Sequence, residues 1–250
     1  LLIVHGRWNY RRICKVILYS FYKNITLTLV LFYYTFCTGY SGTSLYESTS
    51  YMLFNVCFCS LPIIAVGWFD KDMSEETVLN FPEMYVSGRL GQDLNIRSVI
   101  NVVVFSIIHS MVLFFVPYVG YDSFLNNNVG DQLSYGTVAF TSLVLVMNVR
   151  VAFITHTWNW ISHFFLWGSV AFYFIFILVL SVAYGYSAEY YYVAIKVMAS
   201  APFWVACLSC MLTVLLIDIL VEAIRLNFMP GLIDIGREID NDVTLSRKKV

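Results

Sequence analysis

Six stretches of this chain are each apolar over about 18 residues or more, the length a helix needs to cross roughly 30 Å of hydrocarbon. They cover about residues 13–38, 51–69, 98–116, 135–154, 160–184 and 201–221. Lipid gives the backbone no hydrogen-bond partner, so each span must satisfy its own N–H and C=O groups, and a helix does so. The chain is therefore expected to be all-α, a polytopic transmembrane helix bundle of six spans. Composition agrees: 59% of the 250 residues are hydrophobic and 12% are charged, against about 25% charged in a soluble domain. The mean hydropathy is +0.72. Residues 1–250 read as a single membrane domain, with 222–250 as its tail.

The basic residues are sorted by side. Arg7, Arg11, Arg12 and Lys15 precede or open the first span, and Lys71, Arg89 and Arg97 lie in the 70–97 loop. Arg150 ends the fourth span, and Arg225, Arg237, Arg247, Lys248 and Lys249 follow the sixth. With six alternating spans all of these share one side, and the opposite loops hold Lys196. An excess of Lys and Arg marks the cytoplasmic side, so both termini, and the 222–250 tail, are expected to be cytoplasmic. The net charge of −1 names no partner, and nothing points to nucleic acid. The chain opens on Leu1 with no signal-peptide pattern, so it is expected to be a piece of something longer.

The strongest local anomaly is Lys23, which lies near the middle of the first span with Asn24 beside it. An ammonium at that depth costs about 2.5–3.5 kcal/mol even on the lenient insertion scale. Charged groups held in hydrocarbon mark transport paths or paired partners, which makes Lys23 and Asn24 candidate functional residues. The second span carries Asn55 and, two turns on, Pro62. Proline removes a backbone hydrogen bond and loosens its helix. A short loop joins spans one and two, which makes them neighbours, so Asn55 is expected to partner Lys23 beside a helix loosened at Pro62.

Other features read more simply. The six cysteines lie in or beside apolar runs, where a small thiol is apolar filler. Cys207-x-x-Cys210 has metal-type spacing but no histidine nearby. Trp68, His156, Trp158, Trp160 and His163 fall at the expected interfaces, as an aromatic belt does. Asn24-Ile25-Thr26 matches a glycosylation sequon, but inside a span that match is void. Asp218 and Glu222 read as an interface anchor, with Glu222 three residues from Arg225 and able to pair with it. There is no phosphate-cradling glycine loop, no HExxH, no GxSxG and no acidic cluster suited to a divalent metal. An enzyme reading of this segment by itself has no catalytic residues to rest on.

An ordered series of motifs resembles the phospholipid flippases, the type IV P-type ATPases. It begins with Gly6-Arg-Trp-Asn-Tyr-Arg-Arg-Ile13 and Phe21-Tyr-Lys-Asn24, then Ser41-Gly42 and Leu45-Tyr-Glu47. It continues through Leu53-Phe-Asn-Val56, Ser60-Leu-Pro62, Gly67-Trp-Phe-Asp-Lys-Asp72 and Phe81-Pro-Glu-Met-Tyr85 with Gly88. Thr157-Trp158, Ser162-His163, Trp167-Gly-Ser169 and Pro202-Phe-Trp204 complete it, with the Pro230 region at the end. The resemblance implies the carboxy-terminal membrane part, the fifth to tenth of ten helices. It implies ATP and Mg2+ for the full-length protein, with phosphorylation and nucleotide-binding residues upstream, and no cofactor or metal site here.

Carried over residue by residue, the resemblance assigns Lys23, Asn24 and Asn55 to the lipid-translocation path. It implies movement of a phospholipid from the exoplasmic to the cytoplasmic leaflet, at the plasma membrane, the Golgi or an endosome. A small accessory glycoprotein is implied as partner, with loops 39–50, 117–134 and 185–200 as its expected contacts. Two alternatives stand beside this. The segment is a support and accessory-docking region without lipid contact, or it is a free-standing six-helix carrier.

Overall fold

A computed structural model describes residues 2–125, 132–183 and 190–248. The elements run α1 (Leu2–Cys37), α2 (Ser48–Leu53), a π-helical turn (Phe54–Phe58), α3 (Ser60–Phe69), α4 (Glu75–Asn80), a 3-10 turn (Pro82–Tyr85) and α5 (Val86–Arg89). Then come α6 (Ile96–Leu125), α7 (Gln132–Ile154), α8 (Trp160–Val182), α9 (Val193–Met198), α10 (Ala201–Phe228) and α11 (Leu232–Lys248). Among the described residues there is no strand. Six helical segments are long and apolar enough to cross a membrane: Val4–Cys37, Ser48–Phe69, Ile96–Gly120, Gln132–Ile154, Trp160–Val182 and Ala201–Phe228. The all-α bundle of six spans is thus as the sequence requires.

Several helices outrun their apolar cores. α1 starts at Leu2 because its first turns carry basic side chains that find acidic partners in the loop after α3. α6 passes through Pro117 to Leu125, where a loop is expected from 117 onward. The Asn126-Asn127-Asn128 run of that loop lies outside the described residues. α10 continues to Phe228 and stops before Pro230-Gly231.

α7 is the centre of the bundle. In its most apolar stretch 67% of residues are buried, against 28–39% in the other five spans. Its hydroxyls point inward without being orphaned: Thr137, Thr141 and Ser142 each donate to the carbonyl four residues back, at 2.7, 2.7 and 2.9 Å. Thr141 also meets the Tyr173 hydroxyl of α8 at 2.7 Å, and Thr137 meets that of Tyr190 at 3.0 Å. At Gly136 a Cβ would overlap the Leu45 carbonyl oxygen, so only glycine lets the 38–47 connection lie against α7.

At the other end of the bundle the start of α1, the 70–97 connection, the α7–α8 loop, the end of α10 and α11 meet in an ionic lattice. Arg7 grips both Asp72 oxygens at 3.0 and 2.8 Å and reaches the Met84 carbonyl at 3.2 Å. Arg11 binds the same carboxylate. Burial alone would raise the Asp72 carboxyl, but Arg11 and Arg7 together hold it below the usual carboxylate range. Lys15 donates to Asp70 at 2.5 Å, and the other Asp70 oxygen accepts the backbone N–H groups of His156 and Thr157, each at 2.9 Å. α11 docks through Asp240 on Ser74 and Thr77 and through Arg237 on His156 at 2.8 Å. Arg225 forks onto Glu222 at 2.9 and 2.7 Å, as the spacing implies, and also reaches Asp234.

Two outcomes are expected from this packing. Gly136→Ala should lower the thermal stability of the full-length protein by about 1–3 kcal/mol, the usual cost of overpacking. Gly168→Ala, where nothing stands within 4 Å of the added carbon, should leave it unchanged; both are read by thermal unfolding in detergent. The second concerns His156, which accepts from Arg237 as a neutral imidazole. Burial, with Lys15 and Arg237 close by, lowers it from 6.5 to about 4. The folded value is the lower one, so the unfolded chain takes up the proton first. The contact therefore stabilises fully at neutral pH and is lost as pH falls from 6.5 towards 4. The drop in thermal midpoint between pH 7 and pH 5 should accordingly shrink in His156→Asn.

Candidate functional site

Lys23 is buried, at 6% exposure, between α1 and the second span. Its Nζ lies 3.2 Å from Ser60 Oγ and 3.5 Å from the Asn55 backbone carbonyl. Both acceptors sit where the second span departs from α-helical form, because the π-helical turn at Phe54–Phe58 breaks the usual i to i−4 pattern. Ser60 also donates to the Asn55 carbonyl, so hydroxyl, carbonyl and ammonium form one polar knot. Among the described residues no carboxylate lies within ion-pair distance of Lys23.

The two asparagines are placed differently from Lys23. Asn55 meets it through the backbone, and its side chain is exposed. Asn24 is exposed on the outer surface of α1, and its carbonyl accepts from Thr28 at 2.8 Å. The structure therefore brings Lys23 together with the Asn55 main chain and leaves both amide side chains open.

Pro62 has a specific consequence. It lies in the first turn of α3 and cannot donate to the carbonyl of Phe58, four residues back. That carbonyl turns instead towards α7 and α8, accepting from Asn148 Nδ2 at 3.2 Å and from Ser169 Oγ at 2.5 Å. The freed acceptor is thus consumed on the side of the span away from Lys23. The irregular segment, Phe54 to Cys59, lies just before the proline rather than at it.

A second polar cluster lies inside the bundle. Tyr22, the residue before Lys23, has its hydroxyl 2.7 Å from His109 Nδ1 on α6. His109 Nε2 lies 3.5 Å from Asp218 Oδ1 on α10, and Arg150 of α7 is ion-paired with the same oxygen. The Arg150 guanidinium sits 5.1 Å from the Tyr22 ring centre and 5.1 Å from that of Phe105. His109 is fully buried and Asp218 is 3% exposed. Asp218 is therefore not an interface anchor as expected: Glu222 is half-open and pairs locally, while Asp218 turns inward to Arg150. The depth rule that singles out Lys23 would also have found His109, a titratable side chain inside the third span. Nothing in the sequence shows that Arg150 and Asp218 converge on it.

A cleft of about 510 Å³ opens at the ionic end, lined among others by Arg11, Lys15, Arg150, Arg225 and Arg237. Its cations are largely matched by Asp70, Asp72, Asp218, Glu222 and Asp234, which leaves little net charge to attract a ligand. Cys207 and Cys210 are buried on α10, and Ser142 Oγ lies 3.5 Å from the Cys207 sulfur. Among the described residues no group of three His, Cys, Asp or Glu is placed to hold a metal ion.

Comparison with known proteins agrees with this architecture. Residues 1–231 match the family model described as phospholipid-translocating P-type ATPase C-terminal. The chain is 40% identical over 177 residues to the human "Probable phospholipid-transporting ATPase IM", covering 70% of this chain and 15% of that protein. It is 39% identical over 178 residues to the human "Phospholipid-transporting ATPase ID", covering 70% of the chain and 15% of that protein. Against "Probable phospholipid-transporting ATPase 5" of Arabidopsis thaliana it is 36% identical over 213 residues, or 83% of the chain and 17% of the relative. The matched region thus spans about one sixth of these relatives' length. A chain of six membrane-length helices matched over residues 1–231 belongs to the phospholipid-translocating P-type ATPases, as their C-terminal membrane region.

Proposed function

We propose that this chain is the transport part of an ATP-driven phospholipid flippase, carrying headgroups from the exoplasmic to the cytoplasmic leaflet. The observation that carries this reading is Lys23: a buried ammonium in a membrane span, held by a hydroxyl and a carbonyl, with no carboxylate in reach. A cation with neutral partners retains its attraction for an anion. A headgroup phosphate or carboxylate supplies that anion, while its acyl tails stay in the bilayer. The exposed side chains of Asn24 and Asn55 offer amide donors and acceptors to the rest of the headgroup. ATP and Mg2+ act elsewhere in the protein under this reading. Both termini are cytoplasmic, and the membrane is that of the cell surface, the Golgi or an endosome.

A second element concerns the end of the bundle opposite the ionic lattice. Loop 39–50 and the segment after residue 189 approach each other there. Gln132 reaches the Ser44 carbonyl at 2.7 Å, and Tyr190 closes on Thr137 above Leu45 and Tyr46. Their convergence on one surface supports the docking of an accessory glycoprotein. Replacing 39–44 with a Gly-Ser linker should lower recovery of such a subunit on co-purification; equal recovery removes that loop from the interface.

The transport reading is tested by lipid-stimulated ATP hydrolysis of the full-length protein across a headgroup panel. Lys23→Met keeps the side chain's bulk and removes its charge. It should raise the lipid concentration for half-activation about tenfold or more, the worth of a charge-assisted hydrogen bond. Asn55→Ala preserves the carbonyl that Lys23 uses, so a loss in that variant reports on the exposed amide. If Lys23→Met and Asn24→Ala both retain full lipid activation, the lipid path does not run past these residues.

A further inference from the structure

The cluster of Tyr22, His109, Arg150 and Asp218 joins four spans, α1, α6, α7 and α10, yet none of its members touches the proposed lipid path. Tyr22 Oη and His109 Nδ1 lie 2.7 Å apart, one donating to the other according to the imidazole's tautomer. His109 Nε2 faces Asp218 Oδ1 at 3.5 Å as a close neighbour without a hydrogen bond. Asp218 in turn is matched by Arg150. Arg150 also faces the Tyr22 ring, and the His109 ring meets that ring edge-on at 5.7 Å and 86°. Tyr22 is therefore held at its hydroxyl by α6 and over its face by α7, with α10 supplying the charge that keeps both in place.

The next residue is Lys23. Consecutive helix residues are turned by about 100° about the axis, so Tyr22 and Lys23 leave α1 towards different neighbours. Tyr22 enters the α6–α7–α10 cluster, and Lys23 enters the knot at Asn55 and Ser60. Rotating or sliding α1 would break both sets of contacts together. Ser106 adds a further contact, its Oγ lying 3.4 Å from the Tyr22 carbonyl.

We propose that His109 is a positioning residue for lipid binding: by holding the Tyr22 hydroxyl it sets the rotation of α1 and so the place of the Lys23 ammonium. This rests on the reading of Lys23 as part of the lipid path. It gives the third, fourth and sixth spans a defined task in transport beyond bulk support.

The test uses full-length protein in phosphatidylcholine vesicles, alone or doped with phosphatidylserine or phosphatidylethanolamine. The lipid that most activates the unmodified protein is then titrated. Tyr22→Phe removes only the hydroxyl, and His109→Leu removes the whole imidazole that the hydroxyl meets. Each should raise the half-activating lipid concentration about fivefold, the worth of one buried hydrogen bond, with the maximal rate within about twofold. The double variant should be no worse than His109→Leu alone, because that variant already removes the contact that the hydroxyl makes. His109→Asn, which retains an acceptor near Nδ1, should restore activation to within about twofold.

An unchanged half-activating concentration in Tyr22→Phe overturns the proposal. So do effects that multiply in the double variant, or a loss confined to the maximal rate and thermal midpoint. Lys23→Met separates the two levels of the argument. If it leaves lipid activation intact, Lys23 is not part of the lipid path and the positioning role falls with it. If it impairs activation while Tyr22→Phe and His109→Leu do not, only the positioning role fails.

Discussion

Hydrocarbon supplies no hydrogen-bond partner, and much of the arrangement of these six spans follows from how polar groups in one helix are met by another. The Phe58 carbonyl shows the principle at the smallest scale. Pro62 withholds the N–H that an α-helix would offer it, and Asn148 and Ser169 come from two other helices to replace that donor. A defect in one span thereby becomes a join among three. The hydroxyls of Thr137 and Thr141 work similarly, satisfied within α7 and shared with tyrosines outside it.

α1 is where these joins converge. Its first turns are fixed by Asp70 and Asp72, its middle by the His109 cluster on one side and by the π-helical turn on the other. The helix that carries the deepest lysine is thus also held along much of its length. Polar contacts specify rotation and depth more sharply than apolar packing, which tolerates sliding. The contrast between Lys23 and Arg150 is instructive. Both are cations within the bundle, but Arg150 is spent on Asp218, whereas Lys23 meets only neutral acceptors.

Much of the fold was legible in the sequence because run length and hydropathy respond directly to bilayer thickness. The six spans follow from that, and Lys23 stands out since one charge in an apolar run needs no partner to be noticed. The Glu222–Arg225 pair was legible because three-residue spacing on a helix is local geometry. What escaped were contacts between spans. Asp218 looks like a boundary residue from its neighbours in sequence, and only the approach of α7 turns it into the partner of Arg150. Pro62 signals a loosened helix, but which helices claim its orphaned carbonyl is set by packing.

The sequence by itself determined an all-helical membrane bundle, the depth of its one mid-span lysine, and membership in a transporter family through an ordered run of motifs. These depend on local composition and spacing, which a chain carries without folding. Tertiary structure decided that Lys23 meets the Asn55 main chain rather than its amide, that both asparagine side chains stay open, and that Tyr22, His109, Arg150 and Asp218 meet at one point. Those outcomes depend on the rotation of each helix about its axis. Rotation is settled only when the six spans pack against one another.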